Sequence, residues 1–295
     1  MGCKLCPREC NIDRNEKYGF CGAGNALRVG RAALHLWEEP CICGKAGSGT
    51  VFFCGCPLHC VFCQNYTISN ETDAGKEISA DRLSEIFLEL QDKDACNINL
   101  VTPTQFVPQI IPAIKKARGN GLTLPIVYNT GGYEKVETLY ALEGLVDIYL
   151  PDLKYISSIL SDRFSGAKDY FEKTSLAIAE MFRQVGTPVF DEETGLMKRG
   201  LIVRHMMLPK HLQDSKRVVK YLYETYGNDI YVSIMNQYTP VRSLPDFPEL
   251  NRRVSHKEYN ALIDYCISIG IENGFMQEGE AAVASFIPSF QGEGV

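Results

Sequence analysis

The sequence lacks any apolar run approaching the length of a membrane span, and its opening residues, Met1-Gly2-Cys3-Lys4-Leu5-Cys6, lack the apolar stretch of a signal peptide. A cytoplasmic location with no membrane partner is the expectation. An excess of positive charge is also missing. Lys and Arg number 30 against 36 Asp and Glu, a formal charge of −6, so no basic stripe supports bulk nucleic-acid binding. There are no low-complexity tracts. With 295 residues, 45% of them hydrophobic, the chain has enough apolar material for one main domain with a large core and a small appendage.

Cysteine, by contrast, is plentiful. Ten of the twelve cysteines precede residue 64, and such crowding without a signal peptide favours metal ligation in a reducing compartment over disulfides. The sharpest group is Cys56-Pro-Leu-His-Cys60-Val-Phe-Cys63, directly after the apolar run Val51-Phe52-Phe53. It supplies three thiolates. Structural zinc takes four protein ligands, whereas a cubane iron–sulfur cluster held by three cysteines keeps one iron open to a further ligand. The residues alone also allow buried structural thiols, a zinc knuckle completed by His59 or Cys54, or an electron-transfer cluster with Cys54 as fourth ligand.

A second set lies upstream. Cys3, Cys6 and Cys10 with the more distant Cys21 give four thiolates around the polar insert Asn11 to Tyr18. A closed site holding zinc or a second [4Fe-4S] cluster fits; three crowded ligands and one remote one resemble cluster ligation more than the paired knuckles of a zinc ribbon. Cys41 and Cys43 are spaced to replace a ligand of that set, to form a redox pair, or to stay unligated. Cys54 reads as a strand-end thiol, and Cys96 and Cys266 as packing residues.

Residues 1–47 read as a cysteine-rich, metal-binding head ending in the turn-prone Gly44 to Gly49 stretch. From 48 to 295 short apolar segments alternate with amphipathic ones. Strands are expected at Thr50–Phe53, Asn97–Val101, Pro125–Tyr128, Val146–Leu150, Leu201–Met207 and Ile230–Met235. Helices are expected at Ala80–Gln91 with Ser79 as N-cap, Val107–Ala117, Lys135–Glu143, Tyr170–Arg183, Ser215–Tyr226, and His256–Ile269 capped by Ser255. Six such units imply an α/β fold, a partial (β/α)6 TIM-like barrel, whose strand exits line the site.

The triplet, the strand before it and Phe62, the aromatic preceding the third cysteine, resemble the radical S-adenosylmethionine (SAM) superfamily. From Cys63-Gln64-Asn65 onward the chain is similar to relatives of the pyruvate formate-lyase activating enzymes. The resemblance implies a [4Fe-4S] cluster on Cys56, Cys60 and Cys63 whose open iron takes the amino and carboxylate groups of SAM. It also implies reductive cleavage of SAM to methionine and a 5′-deoxyadenosyl radical, driven by a reductant such as a flavodoxin or ferredoxin. That radical would abstract hydrogen from a substrate, such as a glycine of a partner protein. Radical modification of a peptide or small molecule, and a non-catalytic iron–sulfur electron-transfer protein, are the alternative readings.

The same resemblance assigns roles to strand exits. Many relatives carry Gly-Gly-Glu for the SAM amino group where this chain has Thr102-Pro103-Thr104-Gln105-Phe106, so Thr102 and Thr104 are expected to supply hydroxyls or carbonyls instead. Asn129-Thr130-Gly131-Gly132-Tyr133 resembles a SAM-site loop, its glycines allowing close backbone approach. Asp152 and Lys154 match an Asp-x-Lys element beside SAM and substrate and form the expected catalytic pair. Arg204 matches an arginine that reaches the SAM carboxylate, with adjacent His205 pointing the other way. Asn236 is the expected polar group near adenine or substrate. The stretch from Met276 to Glu280 and the tail beyond are candidates for closing the barrel.

Overall fold

Apolar segments too short for helices and too uniformly apolar for an exposed sheet face become strands covered on both sides. All residues of β2 (Ser48–Phe53), β4 (Ile98–Val101), β5 (Ile126–Thr130) and β6 (Ile148–Pro151) are buried, as expected of parallel strands flanked by helices. The computed structural model describes residues 2–71, 74–276 and 290–295. Its remaining strands are β1 (Leu27–His35), β3 (Lys76–Ile78), β7 (Val189–Phe190), β8 (Met197–Met206), β9 (Tyr231–Met235) and β10 (Gly274–Met276). Their order in the sheet is β10-β9-β8-β6-β5-β4-β2-β1-β3, with β7 paired to β8.

From β2 to β10 every neighbouring pair on this path is parallel. The six expected strands are present, in the expected α/β, partial TIM-like arrangement. Two features were not anticipated. β10 extends the parallel series by one strand, and β1 lies antiparallel to β2, from Ala32 opposite Val51 to His35 opposite Ser48. Residues 27–35 of the expected head therefore belong to the same sheet as the barrel.

The helices are α1 (Pro40–Cys43), α2 (Tyr66–Asn70), α3 (Ala80–Gln91), α4 (Val107–Gly119), α5 (Val136–Tyr140), α6 (Ser158–Ser165), α7 (Tyr170–Val185), α8 (Leu212–Tyr226) and α9 (His256–Ile269). Ser79 caps α3 by accepting the Arg82 N–H at 3.0 Å, and Ser255 caps α9 in a reciprocal box with Glu258. The helix expected at Lys135–Glu143 is confined to Val136–Tyr140. The expected barrel-closing stretch beyond Met276, Gln277 to Glu280, lies outside the described residues.

Candidate active site

The cleft opens over the C-terminal ends of the parallel strands and runs into the barrel. Cys56, Cys60, Phe62 and Cys63 line it from the loop after β2, Thr102 from the exit of β4, and Asn129 to Gly131 from β5. Asp152 and Lys154 follow β6, Arg204 and Met206 come from β8, and Met235 and Gln237 from the end of β9. Nine of the eleven residues expected to hold the cluster and SAM or to act in catalysis therefore meet in one cavity. Thr104 and Asn236 do not line it.

Each triplet thiol has its own hydrogen-bond donor. Leu58 N–H points to Cys56 Sγ at 3.5 Å, Ser165 Oγ to Cys60 Sγ at 3.0 Å and Ser69 Oγ to Cys63 Sγ at 3.4 Å. Burial, with the neighbouring Cys60 and Cys63, pushes the Cys56 thiol up to about 12; burial also raises Cys60, opposed by the nearby Lys154 ammonium. Cys56 and Cys60, crowded and desolvated, resist ionising together unless a cation joins them, and the aimed donors favour the thiolate form. This donor chemistry fits a cubane held by three sulfurs. Among the described residues no three His, Cys, Asp or Glu side chains gather to hold a single metal ion.

Phe62 is buried beneath the loop, edge-on to Tyr155, Phe164 and Tyr238 with centroids 6.3–6.4 Å away. These contacts fix the third cysteine's approach and keep water from that side.

Facing the thiols is a charged network. Lys154 Nζ lies 2.5 Å from Asp152 Oδ2, and Arg204 Nε donates to Asp152 Oδ1 at 2.9 Å. Arg204 also donates to Asn129 Oδ1 at 2.6 Å and pairs with Glu38 Oε2 at 3.5 Å, while Asn99 Nδ2 donates to Glu38 Oε1 at 3.0 Å. Burial alone would raise Asp152, but Lys154 and Arg204 outweigh it and hold the carboxyl below its usual range. Burial would lower Lys154 and Arg204; Asp152 outweighs it and holds both cationic. Glu38 goes the other way, raised by burial against the pull of Arg204 and Asn99.

Glycine is required at the β5 exit. Gly132 has φ +82, and a Cβ there would sit 2.2 Å from Asp152 O. The Tyr170 hydroxyl braces the same turn, lying 2.9 Å from Gly131 O and 2.8 Å from Asp152 O and accepting the Lys154 N–H at 3.0 Å.

Two expected site residues are displaced. After Pro103 the chain enters a short 3-10 turn that carries Thr104 away from the cleft, and its hydroxyl donates to buried Glu134 at 2.5 Å. Thr102 stays in the cleft with φ +56, an unusual conformation for a β-branched residue, and its carbonyl is taken by Gln105 Nε2 at 2.9 Å. At the β9 exit, alternation directs Met235 and Gln237 inward, so Asn236 turns aside. His205 points away from the cleft as expected, its Nδ1 2.8 Å from Leu153 O.

Glu38 was not anticipated. It lies in the connection between β1 and α1, at the N-terminal end of β2, and enters the barrel from the side opposite the cysteine loop. The Glu38-Glu39 pair beside Pro40 was the available signal; its barrel position depends on β1 pairing with β2, which nothing local announces.

The four head cysteines, Cys3, Cys6, Cys10 and Cys21, line a separate small pocket with Arg14, Thr104 and Gln105. Phe20 N–H points to Cys10 Sγ at 3.3 Å, and Cys10 and Cys21 Sγ both lie within 4 Å of the Cβ position at Gly19. Burial pushes Cys6 up to about 12 and raises Cys21, with the other head thiols adding to both. Cys41 and Cys43 are not part of this pocket. α1 buries both, and Cys43 Sγ lies 3.5 Å from His35 O.

The model of the Radical SAM superfamily matches residues 50–235. The chain belongs to the radical SAM superfamily. An uncharacterized protein of Methanocaldococcus jannaschii is 28% identical over 271 residues, covering 89% of this chain and 73% of that protein. Among solved structures, SAM-bound SuiB of Streptococcus suis superposes with a TM-score of 0.50 at 16% identity, over 76% of this chain and 48% of SuiB. The FeFe-hydrogenase maturase HydG of Carboxydothermus hydrogenoformans gives 0.51 at 12% identity, over 81% and 56%. This radical SAM chain thus spans about half the length of those solved proteins, and the likeness to them is one of fold. Membership implies a [4Fe-4S] cluster and SAM, and the three-thiol donor set fits the cluster.

Proposed function

We propose that Cys56, Cys60 and Cys63 hold the radical SAM cluster, that SAM occupies the cleft above it, and that the enzyme abstracts hydrogen from a peptide or protein. When bound, the cluster and SAM supply an electron and a 5′-deoxyadenosyl radical. The chain binds, orients and excludes water. Arg204 offers a planar fork to the SAM carboxylate, held in place by Asp152 and Asn129. Asp152, Glu38 and the Thr102 hydroxyl offer acceptors for the amino group, the role that Gly-Gly-Glu serves in many relatives. Lys154, charged and close to Cys60, faces the reacting region. The observation carrying this reading is the convergence of three donor-braced thiols on the Asp152–Arg204–Lys154 network.

A peptide substrate is supported by the likeness to SuiB, whose structure has been solved with its precursor peptide SuiA. The Asp152-x-Lys154 element favours a special case, a glycine of a partner protein. Anaerobic reconstitution with SAM and dithionite should yield 5′-deoxyadenosine, and Cys60→Ala should abolish it. No 5′-deoxyadenosine from the iron-loaded wild type would leave the electron-transfer reading in place. A glycyl radical signal on a co-incubated protein, read by electron paramagnetic resonance, would select the partner-protein case; mass-shifted peptides without it would select peptide modification.

We also propose that Cys3, Cys6, Cys10 and Cys21 hold a second [4Fe-4S] cluster. Their shared pocket and the Phe20 N–H aimed at Cys10 support a thiolate metal centre, and the spacing of three crowded ligands and one remote one favours iron–sulfur over zinc. Metal analysis of the anaerobically prepared chain should find about eight irons, the sum of two cubanes, and little zinc.

A further inference from the structure

The two cysteine sets touch. Cys56 N–H donates to Cys21 O at 3.0 Å, joining a residue of the triplet to one of the head by a single backbone hydrogen bond. Gly55 makes that approach possible: its φ is +84, and a Cβ there would lie 2.5 Å from the Cys21 oxygen. Other contacts fasten the same wall. Arg8 Nε donates to Pro57 O at 2.8 Å, and the Phe20 ring lies 5.0 Å from that of His59. Gln105, which lines the head pocket, donates to Cys54 O and Gly55 O at 2.9 and 3.0 Å and receives Arg14 on its own carbonyl at 2.6 Å.

None of the four head cysteines lines the cleft. The head pocket and the cleft share no lining residue. An electron needs only the wall between them.

We propose that the head is the electron inlet of this enzyme. The Cys3/Cys6/Cys10/Cys21 cluster takes one electron from a low-potential protein donor of the flavodoxin or ferredoxin class and passes it across the Cys21–Cys56 contact to the triplet cluster. This rests on the reading above that both cysteine sets hold clusters. The balance is one electron throughout: the donor is oxidised, the head cluster goes from the 2+ to the 1+ state and back, and the triplet cluster goes from 2+ to 1+. No proton moves and no bond breaks in the transfer.

The test compares two reductants on the anaerobically reconstituted full chain, measuring initial 5′-deoxyadenosine formation with reduced flavodoxin and with dithionite, which reaches clusters directly. Cys10→Ala should lower the flavodoxin-to-dithionite rate ratio at least tenfold. A ratio within twofold of wild type overturns the relay. A second measurement needs no variant: under limiting reduced flavodoxin, rapid-freeze-quench electron paramagnetic resonance of the wild type should show the head signal first and the triplet signal growing as it decays. If the triplet signal comes first, the proposal fails. Wild type holding only about four irons, one cubane, removes the two-cluster reading itself, an outcome distinct from two clusters with no donor dependence.

Discussion

Asp152 accepts Arg204 Nε on one carboxylate oxygen at 2.9 Å, while its other oxygen lies 2.5 Å from Lys154 Nζ. One partly buried anion thus holds two partly buried cations in place. Asp152→Asn would leave both without their main partner, and removing one member of such a group costs about 3–5 kcal/mol. The expected outcome is a lower urea midpoint at unchanged slope, with loss of SAM cleavage. A variant of wild-type stability would show that the network does not support the fold.

Glu38 gives the cleft a second carboxylate beside Arg204. On the proposed reading, Glu38→Gln takes away a carboxylate acceptor for the ammonium of SAM. SAM binding should weaken roughly tenfold, about 1.4 kcal/mol. Equilibrium dialysis of the cluster-loaded protein checks this, and unchanged affinity would exclude Glu38 from the SAM site.

Glu134 is fully buried and accepts from Thr104, Thr130 and Tyr128. Burial pushes its carboxyl up from 4.5 to about 7, despite those three bonds. The folded chain therefore holds this proton more tightly than the unfolded chain. Its stabilising contribution is complete below about pH 4.5 and is lost as pH rises through about 7, at most about 3 kcal/mol across the window. The stability difference between wild type and Glu134→Gln should change with pH over that interval. A constant difference would refute the assignment.

Gly132 is the tightest point of the loop after β5. A Cβ placed 2.2 Å from Asp152 O, at φ +82, forces that backbone apart. Gly132→Ala should cost about 2–3 kcal/mol and reduce SAM cleavage by displacing Asp152. Gly144, also at positive φ but with nothing within 4 Å of its Cβ position, is the control: Ala there should meet only the backbone cost.

Most of the barrel was legible because its signals are local. Buried parallel strands are continuous apolar runs, and Ser79 and Ser255 mark their helices by cap chemistry that acts over three residues. Placement in the cleft was legible where it follows strand periodicity, as at Arg204 and His205. It failed at Thr104, where Pro103 starts a 3-10 turn and rotates the side chain toward Glu134, and at Asn236, where alternation from Met235 favours Gln237. Glu38 and the Cys21–Cys56 contact were illegible for another reason. Both depend on residues of the first 47 folding back onto the barrel, a long-range pairing with no local signature.

That pairing has a consequence unrelated to chemistry. β2 is apolar and buried along its whole length, and β1 covers its outer edge with a ladder of backbone bonds. Were residues 1–47 removed, β2 would become an exposed, flat, hydrophobic edge, a template for chain-to-chain pairing. The cysteine-bearing N-terminal stretch thus also guards the sheet against aggregation, and a barrel expressed from residue 48 should collect as insoluble, β-rich material.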